Sequence, residues 1–189
     1  AKLILDLLKS SPKFNDKVAK CYLMFPTIEK IALSSNGKIF TKLTSLFFLA
    51  RIILFLFNII PLSFRKKLVK FFCRDIPEEF HDDCLEYTKT EVIEKVFFMA
   101  VDEMEKITDY DEELIRNNLH RLKLYYGRTD GWVRKRYYYD IIEKFPEIDA
   151  ELCNKNYDHA FVIKSGDECG AMVGEWIKKS TNEIIVDLN

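Results

Sequence analysis

Apolar and polar positions along the chain follow two different periods, and together they predict a protein of mixed helices and strands. In the opening stretch "AKLILDLLKSSP", apolar residues recur at helical spacing, which predicts an amphipathic helix. Short apolar runs at 18–25, 122–126 and 149–154 are typical of strands. Two further stretches, at 133–146 and 166–179, predict helices.

The order of these elements predicts the fold class. Helix and strand are followed by a helical segment of about ninety residues, and then by strand, helix, strand and helix. Strands that alternate with helices indicate an α/β fold, in which a parallel sheet is packed between helices. We therefore divide the chain into a first core part at 1–25, a helical insertion at 26–118 and a second core part at 119–189.

Within the insertion, residues 46–62 form the most apolar stretch of the chain, "LFFLARIILFLFNIIPL". As a helix these 17 residues would be about 25 Å long, which is shorter than the roughly 30 Å hydrocarbon core of a bilayer. Thr44, Arg51 and Asn58 lie seven apart, so they form one narrow polar stripe beside a broad apolar face. Further along, Thr88 and Glu91 have the spacing of a capping box and predict the start of another helix.

Two interpretations of the apolar stretch remain open. It is either a buried cap helix that lines a lipid pocket, or a segment that inserts into one leaflet of a phospholipid surface. Pro61 ends the stretch and a basic cluster follows within 65–74, as is typical of segments at anionic headgroups. The lipid-surface segment is predicted at 43–74, and its contact residues are Leu46, Phe47, Phe48, Ile52, Ile53, Leu54, Phe55, Leu56, Phe57, Ile59, Ile60, Arg65, Lys66 and Lys67.

Composition excludes several classes of function. Twenty-nine basic and thirty acidic residues give a formal charge of -1, so the chain lacks the basic field with which proteins hold nucleic acid. The five cysteines contain no CxxC pair and the three histidines no HExxH motif, so we expect no disulfide framework, metal or cofactor. Charges interrupt the first helix, which argues against a signal peptide, and the start inside a helix without Met predicts part of a longer protein.

Two loops carry the candidate chemistry. Asp130 follows the second predicted strand and His159 follows the third, and chemistry in an open parallel sheet gathers where strands end. In a catalytic triad the carboxylate orients the imidazole, whose other nitrogen takes the proton of a serine or cysteine nucleophile. Hydrolases on such a sheet place nucleophile, acid and histidine in that chain order, which Asp130 followed by His159 would complete.

The blocks around these residues carry a family resemblance. "MFPTIEKIALSSNGKIFT" at 24–41, "YYGRTDGW" at 125–132 and "NYDHAFV" at 156–162 resemble the lipid droplet-associated hydrolase family of the α/β-hydrolase superfamily. The resemblance covers essentially the whole chain. It implies a partial α/β-hydrolase fold with a long helical cap, Asp130 as the triad acid, His159 as the triad base, and lipid esters as substrates. It also implies a location at lipid droplets and the endoplasmic reticulum, on the cytosolic side.

The nucleophile of that family has no counterpart in these 189 residues. None of the eight serines lies within a G-x-S-x-G elbow. The resemblance places the elbow upstream of 24–41, so the nucleophile would precede Ala1 and this chain alone would be inactive. One hypothesis is thus the C-terminal part of a serine lipid-ester hydrolase. The alternative is a non-catalytic protein of lipid-droplet or endoplasmic reticulum surfaces, such as a truncated isoform.

Overall fold

The computed structural model describes residues 1–187, and Leu188 and Asn189 of the predicted second core part lie outside the described residues. The strands are β1 (Cys21–Met24), β2 (Leu122–Tyr126) and β3 (Asp149–Leu152). The helices are α1 (Lys2–Ser10), α2 (Pro12–Asn15), α3 (Ser35–Leu43), α4 (Phe47–Ile59), α5 (Leu62–Phe72), α6 (His81–Tyr87), α7 (Thr90–Lys106), α8 (Glu112–Asn117), α9 (Lys135–Lys144), α10 (Phe161–Lys164) and α11 (Gly166–Asp187). Short 3₁₀ turns occupy Ile31–Leu33, Thr44–Leu46, Glu78–Phe80 and Leu119–Arg121.

The three strands form one parallel sheet in the order β1-β2-β3. Leu23 is in register with Leu124, and Lys123 with Asp149. The sequence-based expectation of a parallel sheet flanked by helices is confirmed at this level. Because the three strands run parallel, their carboxyl ends lie at the same edge of the sheet.

One face of the sheet supports the larger hydrophobic core. Side chains alternate along a strand, so Leu122, Leu124 and Tyr126 of β2 point to the same side, where each is almost completely buried. They pack with residues of α1, α8 and α9, which are Leu5, Leu8, Leu114, Ile115, Tyr137 and Ile141. The predicted amphipathic helix at the N-terminus is confirmed as α1, in which Leu5 and Leu8 face the core and Leu3 is exposed.

The opposite face carries a smaller aromatic core under α11. Tyr125 of β2 packs there with Cys153 and Cys169. Tyr22 of β1 stacks on Trp176 of α11 at 6.1 Å between ring centroids, and its hydroxyl donates to Ser180 Oγ at 2.8 Å. These contacts fix the long last helix across the sheet.

Every element that the structure describes between β1 and β2 is helical, as the sequence predicts. The start predicted for α7 is wrong, because that helix begins at Thr90 without a side-chain cap. Thr88 instead donates its hydroxyl to Leu85 O at 2.6 Å and its carbonyl accepts from Asn58 at 2.8 Å. The Thr88 hydroxyl is therefore bonded to the end of α6 and does not cap α7.

The polar stripe of the apolar stretch contacts neighbouring helices, although the Arg51 side chain is still 52% exposed. Phe47 stacks on Phe97 of α7 at 3.5 Å between ring centroids, and Arg51 pairs with Glu94 at 2.7 Å. Asn58 lies seven residues after Arg51 on the same face. Its side-chain oxygen accepts a hydrogen bond from an Arg65 guanidinium nitrogen at 2.8 Å. One face of α4 is thus fixed to the protein by its few polar side chains.

The opposite face of α4 is exposed. All of α4 lies within the described residues, and none of its residues is buried, which does not match the interpretation as a buried cap helix. Predicted contact residues that are exposed are Leu46, Phe48, Ile52, Ile53, Phe55, Leu56, Ile59, Lys66 and Lys67, whereas Phe47, Leu54, Phe57, Ile60 and Arg65 are half-buried. The large apolar side chains therefore form a continuous outward surface.

The helical run that contains α4 is longer than the apolar stretch alone indicates. It extends over 25 residues from Ser35 to Ile59, its most apolar 18-residue window has a mean hydropathy of 1.9, and none of that window is buried. By length and composition this run, about 37 Å long, is sufficient to cross a bilayer. The prediction that this segment is too short to span a bilayer counted only residues 46–62 and left out the helical residues from Ser35 onward.

The loop after β1 buries a carboxylate. The Glu29 side chain is 4% exposed, and its Oε1 has no hydrogen-bond partner within the described part of the chain. Burial raises the pKa of the Glu29 carboxyl above its ordinary value of 4.5, and the charge of Lys30 opposes this only in part. The nearby Tyr126 hydroxyl is also buried, and burial raises the pKa of that phenol.

Glu29 therefore makes stability depend on pH. Unfolded Glu29 releases its proton at a lower pH than folded Glu29, so the contribution of Glu29 to the free energy of unfolding falls as the pH rises above about 4. Glu29→Gln removes this titration, and we expect the variant to gain stability over the unsubstituted protein across that range. Urea unfolding at both ends measures the difference. The exposed Glu175→Gln is the control, and an unchanged pH dependence in Glu29→Gln contradicts the prediction.

Candidate active site

Asp130 and His159 meet at the edge where the strands end. Asp130 lies in the turn after β2, and His159 lies in the loop between β3 and α10. His159 Nδ1 and Asp130 Oδ2 are 2.8 Å apart, a hydrogen-bond distance. The Asp130 side chain is completely buried, whereas that of His159 is 35% exposed. The structure thus brings together the two residues that the sequence analysis selected, with the imidazole nearer the surface.

The turn itself holds the Asp130 carboxylate. Its Oδ1 accepts from the backbone amides of Trp132 at 2.7 Å and Val133 at 3.1 Å. Both oxygens therefore have partners, which a buried carboxylate requires. With Nδ1–H donating to Oδ2, the other imidazole nitrogen, Nε2, is the one that can accept a proton.

Two glycines allow the surrounding backbone to approach closely. A Cβ at Gly127 would lie 2.7 Å from the Phe25 ring and 2.9 Å from Asp130 Cβ. A Cβ at Gly131 would lie 2.6 Å from the Asn36 side chain. The backbone N–H of Asn36 donates to Gly131 O at 2.9 Å. The "YYGRTDGW" block is thus packed directly against the "FPTIE…SNGK" block.

Phe25 is a site residue that the sequence analysis treated only as the end of a strand. Its φ of 47° lies in the left-handed region, which a bulky side chain rarely adopts. Its amide donates to Tyr125 O at 2.7 Å, and its ring packs edge-on against His159 at 6.2 Å between centroids. The same ring stacks on Phe161 at 5.2 Å. Phe25 thus supports the imidazole from the β1 side, and no periodicity in the sequence signals this role.

Within residues 1–187, the hydrogen-bond partner of the His159 ring is Asp130. No serine or cysteine in this range forms a hydrogen bond with His159. Cys153 is buried and directs its thiol to Lys155 O at 2.8 Å. Burial raises the pKa of the Cys21 and Cys169 thiols, which keeps them protonated and poorly nucleophilic.

The described residues also contain no group of three or more His, Cys, Asp or Glu side chains placed to hold a metal ion. The five cysteines, all within the described range, are free thiols. The arrangement that remains is an oriented imidazole on a buried carboxylate. Such a pair can move a proton to and from a reacting group, and it needs no further ligand to do so.

Comparison with known proteins decides the family. The family model for lipid-droplet associated hydrolases matches residues 3–162. The chain belongs to this family. The resemblance found in the three sequence blocks is therefore confirmed, and both Asp130 and His159 lie within the matched range.

Relatives from distant animals agree with this assignment. The chain is 38% identical over 181 residues to a lipid droplet-associated hydrolase of Drosophila melanogaster, covering 94% of this chain and 59% of that protein. It is 30% identical over 186 residues to that of Gallus gallus, covering 96% and 57%, and 30% identical over 185 residues to that of Homo sapiens, covering 95% and 55%. The chain thus spans little more than half the length of these curated relatives. No solved structure gives a significant match.

The hydrogen bonds at Asp130 predict that the two site residues differ in their effect on stability. Asp130→Ala leaves two buried amides without an acceptor, so we expect it to lower the free energy of unfolding by about 1–3 kcal/mol. His159→Ala leaves Asp130 Oδ2 without its donor, but water can take the place of the partly exposed ring, so its expected cost is below about 1 kcal/mol. Urea unfolding of both variants measures this. Equal costs for the two would show that the turn does not depend on the carboxylate.

Proposed function

We propose that Asp130 and His159 are the acid and the base of a serine hydrolase that cleaves lipid esters. The observation that carries this proposal is the 2.8 Å contact between His159 Nδ1 and a carboxylate with no exposed surface. A carboxylate in this position holds the imidazole in one tautomer and stabilises the imidazolium that forms during the reaction. Membership of a hydrolase family supports the same reaction class.

In this mechanism His159 takes up one proton and releases it again in each half-reaction. Its Nε2 takes the hydroxyl proton as the serine oxygen attacks the ester carbonyl, and then gives that proton to the departing alcohol. A water molecule repeats the sequence on the acyl-enzyme and releases the acid. None of the eight serines lies in a G-x-S-x-G elbow, so we propose that the nucleophile lies outside these 189 residues.

The fold and domain division follow from the same proposal. A parallel sheet with an acid after β2 and a histidine after β3 is compatible with the last part of an α/β-hydrolase fold. Residues 26–118 would then be its helical cap, between core parts at 1–25 and 119–189. The exposed edge of β1 is where a further strand could pair, because edge strands carry unpaired backbone groups.

The outward face of α4 is the proposed contact with lipid. A continuous apolar face followed by exposed Lys66 and Lys67 suits insertion into one leaflet beside anionic headgroups. The polar face of α4 is bonded to α5 and α7, which favours a helix lying in the surface over one that crosses it. We propose the lipid droplet and the cytosolic side of the endoplasmic reticulum as the locations.

The decisive experiment measures ester hydrolysis by the full natural protein with and without the imidazole. We expect His159→Ala to lower kcat by at least about 10³-fold, because no other group can then accept the serine proton. The residues 1–189 alone are expected to show no turnover that depends on His159. A fluorophosphonate probe should label the natural protein on a serine outside these residues.

The matched control for this experiment is His120→Ala, which removes an imidazole outside the site. It should retain the activity of the unsubstituted protein. If His159→Ala hydrolyses esters as fast as His120→Ala, then His159 is not the base and the triad proposal fails.

A second candidate function is a non-catalytic protein of the lipid-droplet surface. The observation that favours it is the exposed apolar face of α4, together with a sequence that contains no serine elbow. Under this alternative the 189 residues keep the lipid-contact segment without catalysis. Lack of fluorophosphonate labelling in the natural protein would support this candidate over the hydrolase.

Both functions require α4 at the lipid surface, which predicts an effect on localisation. Phe55 and Ile59 are 61% and 65% exposed, so Phe55→Asp with Ile59→Asp places two charges in the apolar surface without entering the core. We expect this double variant to leave droplets for the cytosol in fluorescence microscopy, because charges are costly in hydrocarbon. Ile177→Asp on α11, at a position 49% exposed, is the control and should stay on droplets. Unchanged droplet binding by the double variant would exclude this face as the anchor.

A further inference from the structure

A cavity of about 420 Å³ lies between the cap helix α6 and the short helix α10. Its volume falls within the roughly 300–1,000 Å³ typical of small-molecule sites. The lining residues are Ile76, Phe80, Asp83, Cys84, Glu86, Tyr87, Val162 and Ile163. The cavity therefore joins the helical insertion to the segment that carries His159.

The lining is apolar with an acidic rim. Ile76, Phe80 and Ile163 are half-buried, whereas the two charged lining residues, Asp83 and Glu86, are exposed. No lysine or arginine is among the described residues that line the cavity. Glu86 is paired with Lys89 at 2.6 Å, so Asp83 supplies the uncompensated negative charge of the rim. Such a cavity suits a neutral hydrocarbon chain, and the Asp83 charge disfavours a carboxylate or phosphate group.

One wall of the cavity is formed by the segment that directly follows His159. Val162 and Ile163 follow His159 by three and four residues. Phe161, the residue before Val162, stacks on Phe25, and the Phe25 ring also packs against the imidazole. The cavity wall at Val162 and the imidazole of His159 therefore belong to one short segment of the chain.

We propose that this cavity binds the acyl chain of a neutral lipid ester and presents the ester group to His159. The inference rests on the proposed hydrolase function, and it specifies which part of the substrate lies against which helices. The exposed face of α4 serves a separate purpose, contact with the bulk lipid surface. The acidic rim favours the uncharged ester over the free fatty acid, so the acid product is bound less tightly than the substrate.

Binding of lipid probes tests the proposal without requiring turnover. The probe is a pyrene-labelled long-chain fatty acid methyl ester, and the matched competitor is the corresponding free acid at neutral pH, with the full natural protein in both cases. Val162→Trp and Ile163→Trp insert a large ring into the cavity and should each weaken the Kd of the ester by about tenfold. Val162 is 64% exposed, so its replacement does not disturb the core. Ile177→Trp on α11 is the control and should bind as tightly as the unsubstituted protein.

The variants separate failure of this proposal from failure of the hydrolase function. His159→Ala should bind the ester normally, so loss of activity without loss of binding supports both. Ester binding that is weakened by the cavity variants in a protein without esterase activity upholds the cavity and refutes the hydrolase. The cavity proposal is overturned if both tryptophan variants bind normally, if the free acid binds as tightly as the ester, or if binding depends only on Phe55 and Ile59 of α4.

Discussion

The buried carboxylate of Asp130 is the interaction on which the site depends. A charge without exposed surface is tolerated only when hydrogen bonds replace its hydration, and here two turn amides and an imidazole provide them. The turn after β2 must therefore fold in one way. Gly127 and Gly131 permit it, because a side chain at either position would meet Phe25 or Asn36. Orientation of His159 follows from the stability of the turn.

The helical insertion shows how a few polar residues decide the direction of an apolar helix. In α4 the polar side chains of Arg51 and Asn58 find partners on α7 and α5, so the face that carries them lies beside these helices. The apolar residues are then left on the outside, the reverse of an ordinary surface helix. The proposed lipid surface would cover this exposed face, which connects the packing of α4 to the proposed location.

Sequence patterning was most successful where burial and periodicity agree. Leu122, Leu124 and Tyr126 alternate because one face of β2 packs on α1, α8 and α9, so the strand and its core side could be predicted. It failed at Thr88, where a local bond to Leu85 O competes with the helix cap that the spacing indicated. It also missed Phe25, since a residue at the end of an apolar run carries no mark of its positive φ.

The sequence by itself determined the class of fold, the parallel order of the strands, the family and the choice of Asp130 and His159. These follow from local periodicity and from short residue blocks, which act over a few neighbouring positions. Tertiary structure alone decided that the two residues are bonded, that Phe25 packs against the imidazole, and that α6 and α10 border an open cavity. Each of these depends on residues far apart in the chain, and their contact arises only when the sheet and the cap are packed together.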